Sequence, residues 1–84
     1  MGNVLLTPVA QKDMARLPGG MLRRVNDVLS RLKKWPDVSG AKPLRGELAG
    51  WFRIRTGDWR VVFSVAGDTV VVSAIDNRRD VYQR

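Results

Sequence analysis

Two runs of alternating apolar and polar residues, Trp51–Thr56 and Trp59–Val65, are separated only by Gly57-Asp58. Such a connection between period-2 runs marks a tight β-hairpin. Taking Gly57 and Asp58 as the central turn residues fixes the pairing. Thr56 then faces Trp59, Arg55 faces Arg60, Ile54 faces Val61, Arg53 faces Val62, and Phe52 faces Phe63. One face of the hairpin carries Phe52, Ile54, Trp59, Val61, Phe63 and Val65. The other carries Arg53, Arg55 and Arg60. The two apolar sets coincide only in this register; a slip by one residue would turn the arginines into the core.

The register has a cost, because like charges directly opposite one another destabilise a sheet. No acidic residue of the hairpin lies on the arginine face. Two readings are open. In the first, an external anion supplies the balancing charge, and arginine suits phosphate because its planar fork donates two parallel hydrogen bonds. In the second, the face is simply solvated and the long side chains splay apart.

The rest of the chain reads as helices and short strands. Val4-Leu5-Leu6 is an apolar run fit for a first strand. Thr7-Pro8 is an N-cap followed by proline at the first helical position. A helix is expected to run to about Leu17, with Val9, Ala10, Met14 and Leu17 inward, until Pro18-Gly19-Gly20 breaks it. A second helix is expected over about Met21 to Trp35. Met21, Val25, Val28, Leu29, Leu32 and Trp35 form its apolar stripe, and Pro36 stops it. Residues 36–43 read as a loop, and 44–50 as a transition with room for a short extended piece. A third strand of the meander is expected over about Thr69–Ile75, after Ala66-Gly67-Asp68. The fold class is therefore α+β: a strand, a helical hairpin, then a three-stranded antiparallel meander, in a single domain over residues 1–84.

Composition narrows the chemistry. Fifteen Lys and Arg against eight Asp and Glu give a net charge of +7, and eleven of the fifteen are arginine. That bias favours a polyanionic partner. Cysteine and histidine are both absent, which excludes thiolate catalysis, zinc–thiolate sites and every Ser-His or Cys-His arrangement. No metal or other cofactor is expected. No apolar run approaches the roughly 20 residues of a membrane span, and the first residues lack the pattern of a signal peptide, so the expected compartment is the cytoplasm with no membrane partner.

Several side chains carry two readings. Tyr82 is the only tyrosine. Beside the guanidinium groups of the C-terminal segment it becomes a better proton donor; otherwise its ring caps the sheet. Trp35 and Trp59 fall on apolar faces and read as core. Trp51 falls on the arginine side, where it would stack on a base or cover the start of the strand. Glu47, the only glutamate, sits in loop sequence and reads as loop chemistry rather than as a base.

Lys42-Pro43-Leu44-Arg45-Gly46-Glu47-Leu48-Ala49-Gly50 resembles a stretch of the RelE/ParE superfamily of bacterial type II toxins. The resemblance continues through Trp51-Phe52-Arg53-Ile54-Arg55 and Gly57-Asp58-Trp59-Arg60-Val61-Val62-Phe63 to Arg78-Arg79-Asp80-Val81-Tyr82. Leu6-Thr7-Pro8 and the helical hairpin fit it too, so it spans nearly the whole chain. It implies the superfamily's fold and, for its RelE branch, a metal-independent endoribonuclease that cuts messenger RNA on the ribosome. In that reaction the neighbouring 2′-hydroxyl attacks the scissile phosphate.

Carried over position by position, the resemblance implies catalytic roles for Arg53, Arg55, Arg60, Arg78 and Tyr82, and RNA contacts from Lys42, Arg45, Arg79 and Trp51. Arg53, Arg55 and Arg60 would stabilise phosphate charge, and Tyr82 would protonate the leaving group. Arg55 stands where RelE-type proteins have lysine, Asn77 where other ribonuclease members have histidine, and Lys42 where a carboxylate base occurs. A permanently protonated arginine is a poor base, so the reaction leans on electrostatic stabilisation or takes its base from the ribosome. The resemblance also implies a small acidic antitoxin as partner. The alternatives are a ParE-like, non-catalytic inhibitor of DNA gyrase and a basic RNA-binding module without cleavage. No segment resembles a helix-turn-helix reader, so direct DNA reading is not expected of this chain.

Overall fold

A computed structural model describes residues 2–77. The strands are β1 (Asn3–Leu6), β2 (Lys42–Pro43), β3 (Trp51–Thr56), β4 (Trp59–Ala66) and β5 (Thr69–Asn77); the helices are α1 (Pro8–Ala15) and α2 (Gly19–Leu32). A 3₁₀ turn covers Gly46–Leu48. The five strands form one sheet in the order β1-β5-β4-β3-β2. β1 runs parallel to β5, and all other pairs are antiparallel.

The expected α+β order holds, with two additions. The segment read as a loop ends in β2, where Lys42 pairs with Arg53 and Pro43 with Phe52. A two-residue strand carrying proline has no periodicity to read, and proline is tolerated there because β2 is an edge. The first strand also turns out to lie beside the last.

The β3–β4 register is the one the alternation dictates, from Phe52 opposite Phe63 to Thr56 opposite Trp59. Gly57 has φ +63°, and no non-glycine residue of the described chain has positive φ. Positive φ at the first central position alone is the type II′ pattern, which matches strand twist.

Both helices cover the apolar face of the sheet. The core joins Ala10, Val25, Val28 and Leu32 to Ile54, Val61, Phe63, Val70, Val72 and Ile75. Trp35 meets Phe52 and Phe63 edge-on at centroid distances of 5.0 and 5.4 Å. Such aromatic pairs contribute about 0.5–1.5 kcal/mol beyond their buried area.

Each helix differs from its expected limits for a local reason. α2 begins at Gly19 because the Pro18 carbonyl accepts from the N–H groups of Met21 and Leu22. It stops at Leu32, and the chain tightens into i→i+3 bonds from Lys34 to Arg31 and from Trp35 to Leu32. The residue before Pro36 cannot hold helical geometry comfortably, and the tightening swings Trp35 onto the core. α1 tightens in the same way after Ala15. Val9, expected inward, is 52% exposed. On so short a helix Ala10 and Met14, one turn apart, take the sheet-facing stripe and leave Val9 to one side.

β5 is not regular. Its register with β4 shifts between Val62 and Phe63: Val72 faces Phe63, but Ala74 faces Val62. Ser73 is the extra residue of a β-bulge. Val70, Val72 and Ile75 are thereby all buried, although they are spaced two and then three apart.

Candidate active site on the open sheet face

The arginine side of the sheet is the face that α1 and α2 do not cover. Pairing registers set out its residues in rows. Lys42, Arg53, Val62 and Ala74 form one row across β2, β3, β4 and β5. Arg55, Arg60 and Asp76 form the next. Lys42 and Arg55 are exposed and Arg53 is half-buried. Three cations therefore share one open surface.

Arg60 breaks the pattern. It is 2% exposed, and its cross-strand neighbour Asp76 is 6% exposed. Neither reading of a uniformly exposed arginine face fits this residue. It is not solvated, and a carboxylate of the protein itself stands beside it rather than an external anion alone. The hairpin pattern missed the carboxylate because it lies on the third strand, one residue beyond the expected end of that strand.

The bulge is what brings the two together. In a regular β4–β5 ladder continuing from Phe63 opposite Val72, Arg60 would face Ile75 and Asp76 would point into the core. One inserted residue reverses both. Burying opposite charges side by side avoids the large penalty of burying either alone.

Next to these rows lies a cleft of about 420 Å³. Its walls are Arg45, Glu47, Leu48, Trp51, Val62, Ser73, Ala74 and Asp76. The 3₁₀ turn supplies Glu47 and Leu48 and, with Arg45, forms one wall; the sheet forms the floor. Trp51 lies on the arginine side, as the alternation dictates, and lines the cleft. Glu47, read from sequence as ordinary loop, also lines it. Nothing local in the sequence marks Glu47, because its place depends on how the turn folds over the sheet.

Lys42, Arg45, Trp51, Arg53, Arg55 and Arg60 thus gather on one face. Arg78, Arg79 and Tyr82 lie outside the described residues. Among the described residues no cluster of His, Cys, Asp and Glu is arranged to hold a metal ion. The arrangement suits an extended polyanion: exposed cations for its phosphates, an indole beside a cleft for a base.

The family model for the ParE toxin of type II toxin-antitoxin systems (parDE) matches residues 4–82. The chain belongs to this toxin family. The toxin RelG of Mycobacterium tuberculosis is 37% identical over 84 aligned residues, covering 96% of this chain and 95% of RelG. The toxin RelE3 of Methanocaldococcus jannaschii is 24% identical, covering 94% of this chain and 93% of RelE3. Among solved structures, the toxin-antitoxin complex RelBE2 of M. tuberculosis superposes with a TM-score of 0.79 at 32% identity. That match covers 92% of this chain and 98% of the chain compared. The expected RelE/ParE superfamily membership and fold are therefore shown, and the chain is a toxin of a type II toxin-antitoxin system. No helix of the described residues is long and apolar enough to cross a membrane.

Proposed function

We propose that this toxin is a ribosome-dependent endonuclease that cuts messenger RNA and so stops translation. The observation that carries the reading is the row geometry of the open face: Lys42, Arg53 and Arg55 line up beside a cleft that Trp51 borders. Arg53 and Arg55 would hold the scissile phosphate, and Arg60, backed by Asp76, would stabilise the charge that develops on it. Lys42, Arg45 and Trp51 would grip the flanking nucleotides. Arg78 would add charge at the phosphate, Arg79 would bind RNA, and Tyr82 would protonate the leaving 5′-oxygen.

The ribose 2′-hydroxyl attacks phosphorus, the bond to the 5′-oxygen breaks, and a 2′,3′-cyclic phosphate forms. No metal is required. The 2′-proton goes to solvent or to a group of the ribosome. The reaction would take place in the cytoplasm, where ribosomes work. A small acidic antitoxin would neutralise the toxin by covering the cationic face; the solved RelBE2 relative is itself a toxin-antitoxin complex.

The test is purified toxin added to ribosomes programmed with a defined messenger. Cleaved messenger ending in a 2′,3′-cyclic phosphate supports the reading, and intact messenger rejects it. The ParE designation of the family model favours a second reading, binding to DNA gyrase without catalysis. It predicts intact messenger together with loss of gyrase supercoiling in the same preparation. Salt-sensitive RNA binding with neither effect would indicate a binding module.

A further inference from the structure

Thr7, which follows β1, and Asp13 of α1 hold β5 around the Ser73 bulge, the Thr7 N–H by continuing the parallel β1–β5 ladder. The Thr7 N–H donates to the Val72 carbonyl at 3.0 Å. The Thr7 hydroxyl donates to the Ser73 carbonyl at 3.2 Å. The Ile75 N–H donates to Asp13 Oδ2 at 3.0 Å. Three links, at Val72, Ser73 and Ile75, therefore hold β5 at the inserted residue and on both sides of it. Thr7 also accepts from the Ala10 N–H, so the same hydroxyl caps α1 and ties it to the bulge.

These contacts are long-range, 66 residues apart for Thr7 and 62 for Asp13. Helix capping alone does not require them. Asp13 lies outside the first turn of α1, where a carboxylate would serve the helix dipole. Its partner is the backbone immediately before Asp76.

We propose that Thr7 and Asp13 are positioning residues: they hold the bulge in place and so keep Asp76 beside Arg60 on the open face. A bulge that relaxed into a regular ladder would carry Asp76 toward the core side and leave Ile75 opposite Arg60. Neither Thr7 nor Asp13 lines the cleft or touches substrate. Their effect on catalysis, which rests on the nuclease reading, would travel through β5.

The experiment compares Asp13→Ala and Asp13→Asn, and Thr7→Val and Thr7→Ser, with Val25→Ala as a control for lost stability. Asn and Ser retain the hydrogen-bonding atom. All are assayed well below their melting temperatures. Exchange of the Ile75 amide hydrogen should accelerate at least tenfold in Asp13→Ala. The Arg60 and Asp76 amide signals should shift in Asp13→Ala and Thr7→Val. Asp13→Asn, Thr7→Ser and Val25→Ala should stay near wild type in these readings.

Single-turnover cleavage on programmed ribosomes should fall at least tenfold in Asp13→Ala and Thr7→Val, with the half-saturating ribosome concentration unchanged within about twofold. The conservative variants should restore it. If the amide signals do not move, or if Val25→Ala moves them as much, the proposal is overturned. If they move while wild-type toxin cleaves nothing, the nuclease reading fails and the clamp stands. If they move and cleavage by Asp13→Ala is unchanged, the catalytic half of the proposal is wrong.

Discussion

Arg60 and Asp76 stand opposite each other, both buried, because a single inserted residue, Ser73, shifts the register of β5. The pair makes Arg60 a different kind of residue from Arg53 and Arg55. Arg55 is exposed and Arg53 half-buried, whereas Arg60 is buried beside Asp76 before any ligand arrives. A donor held in place beforehand needs no reorganisation at the moment of reaction.

Removing one partner should therefore cost more than removing both. Asp76→Ala leaves a buried guanidinium without its carboxylate neighbour and should lower stability by about 3–5 kcal/mol. The double variant Arg60→Met with Asp76→Leu should recover most of that loss, because apolar groups of similar volume replace buried charges at little net cost. Urea denaturation of the three proteins checks this, and the double variant should be inactive while folded.

Arg55→Ala should behave in the opposite way. Arg55 is exposed and faces another arginine, so its loss relieves repulsion and should change stability by less than about 0.5 kcal/mol. Growth inhibition should disappear. RNA binding should weaken, and the slope of log K against log salt should fall by about 0.7, the value for one contact to a single-strand phosphate. Titrations at several salt concentrations measure it.

The hairpin turn gives a purely structural test. Gly57 holds φ +63°, and a Cβ there would meet Met21 Cε at 3.3 Å and Arg24 Nη1 at 3.4 Å. Gly57→Ala should lower stability by about 1–2 kcal/mol, chiefly through the left-handed backbone. Thermal melting checks it. Phe63→Ala, at the centre of the aromatic cluster, should cost about 3–5 kcal/mol by the same assay.

The β3–β4 register was legible in the sequence because Gly57-Asp58 and the alternation on both sides demand the same pairing. The α2 stripe was legible for a similar reason, its apolar residues recurring at helical spacing. The burial of Arg60 was not legible from the hairpin, since its neighbour arrives from β5. A trace of the cause is present: Val70 and Val72 are two apart, but the next core residue, Ile75, is three further on. That break marks a bulge once β5 is known to pair throughout with β4. β2 left no trace, because two residues carry no period. The cleft depends on the 3₁₀ turn folding over the sheet, a tertiary event that neither Arg45 nor Glu47 announces locally.

Five-prime ends of cellular messengers, mapped minutes after the toxin is induced, test the central claim most directly. The account predicts new ends inside translated reading frames with wild-type toxin and none with Arg55→Ala. Growth arrest without new messenger ends would contradict it.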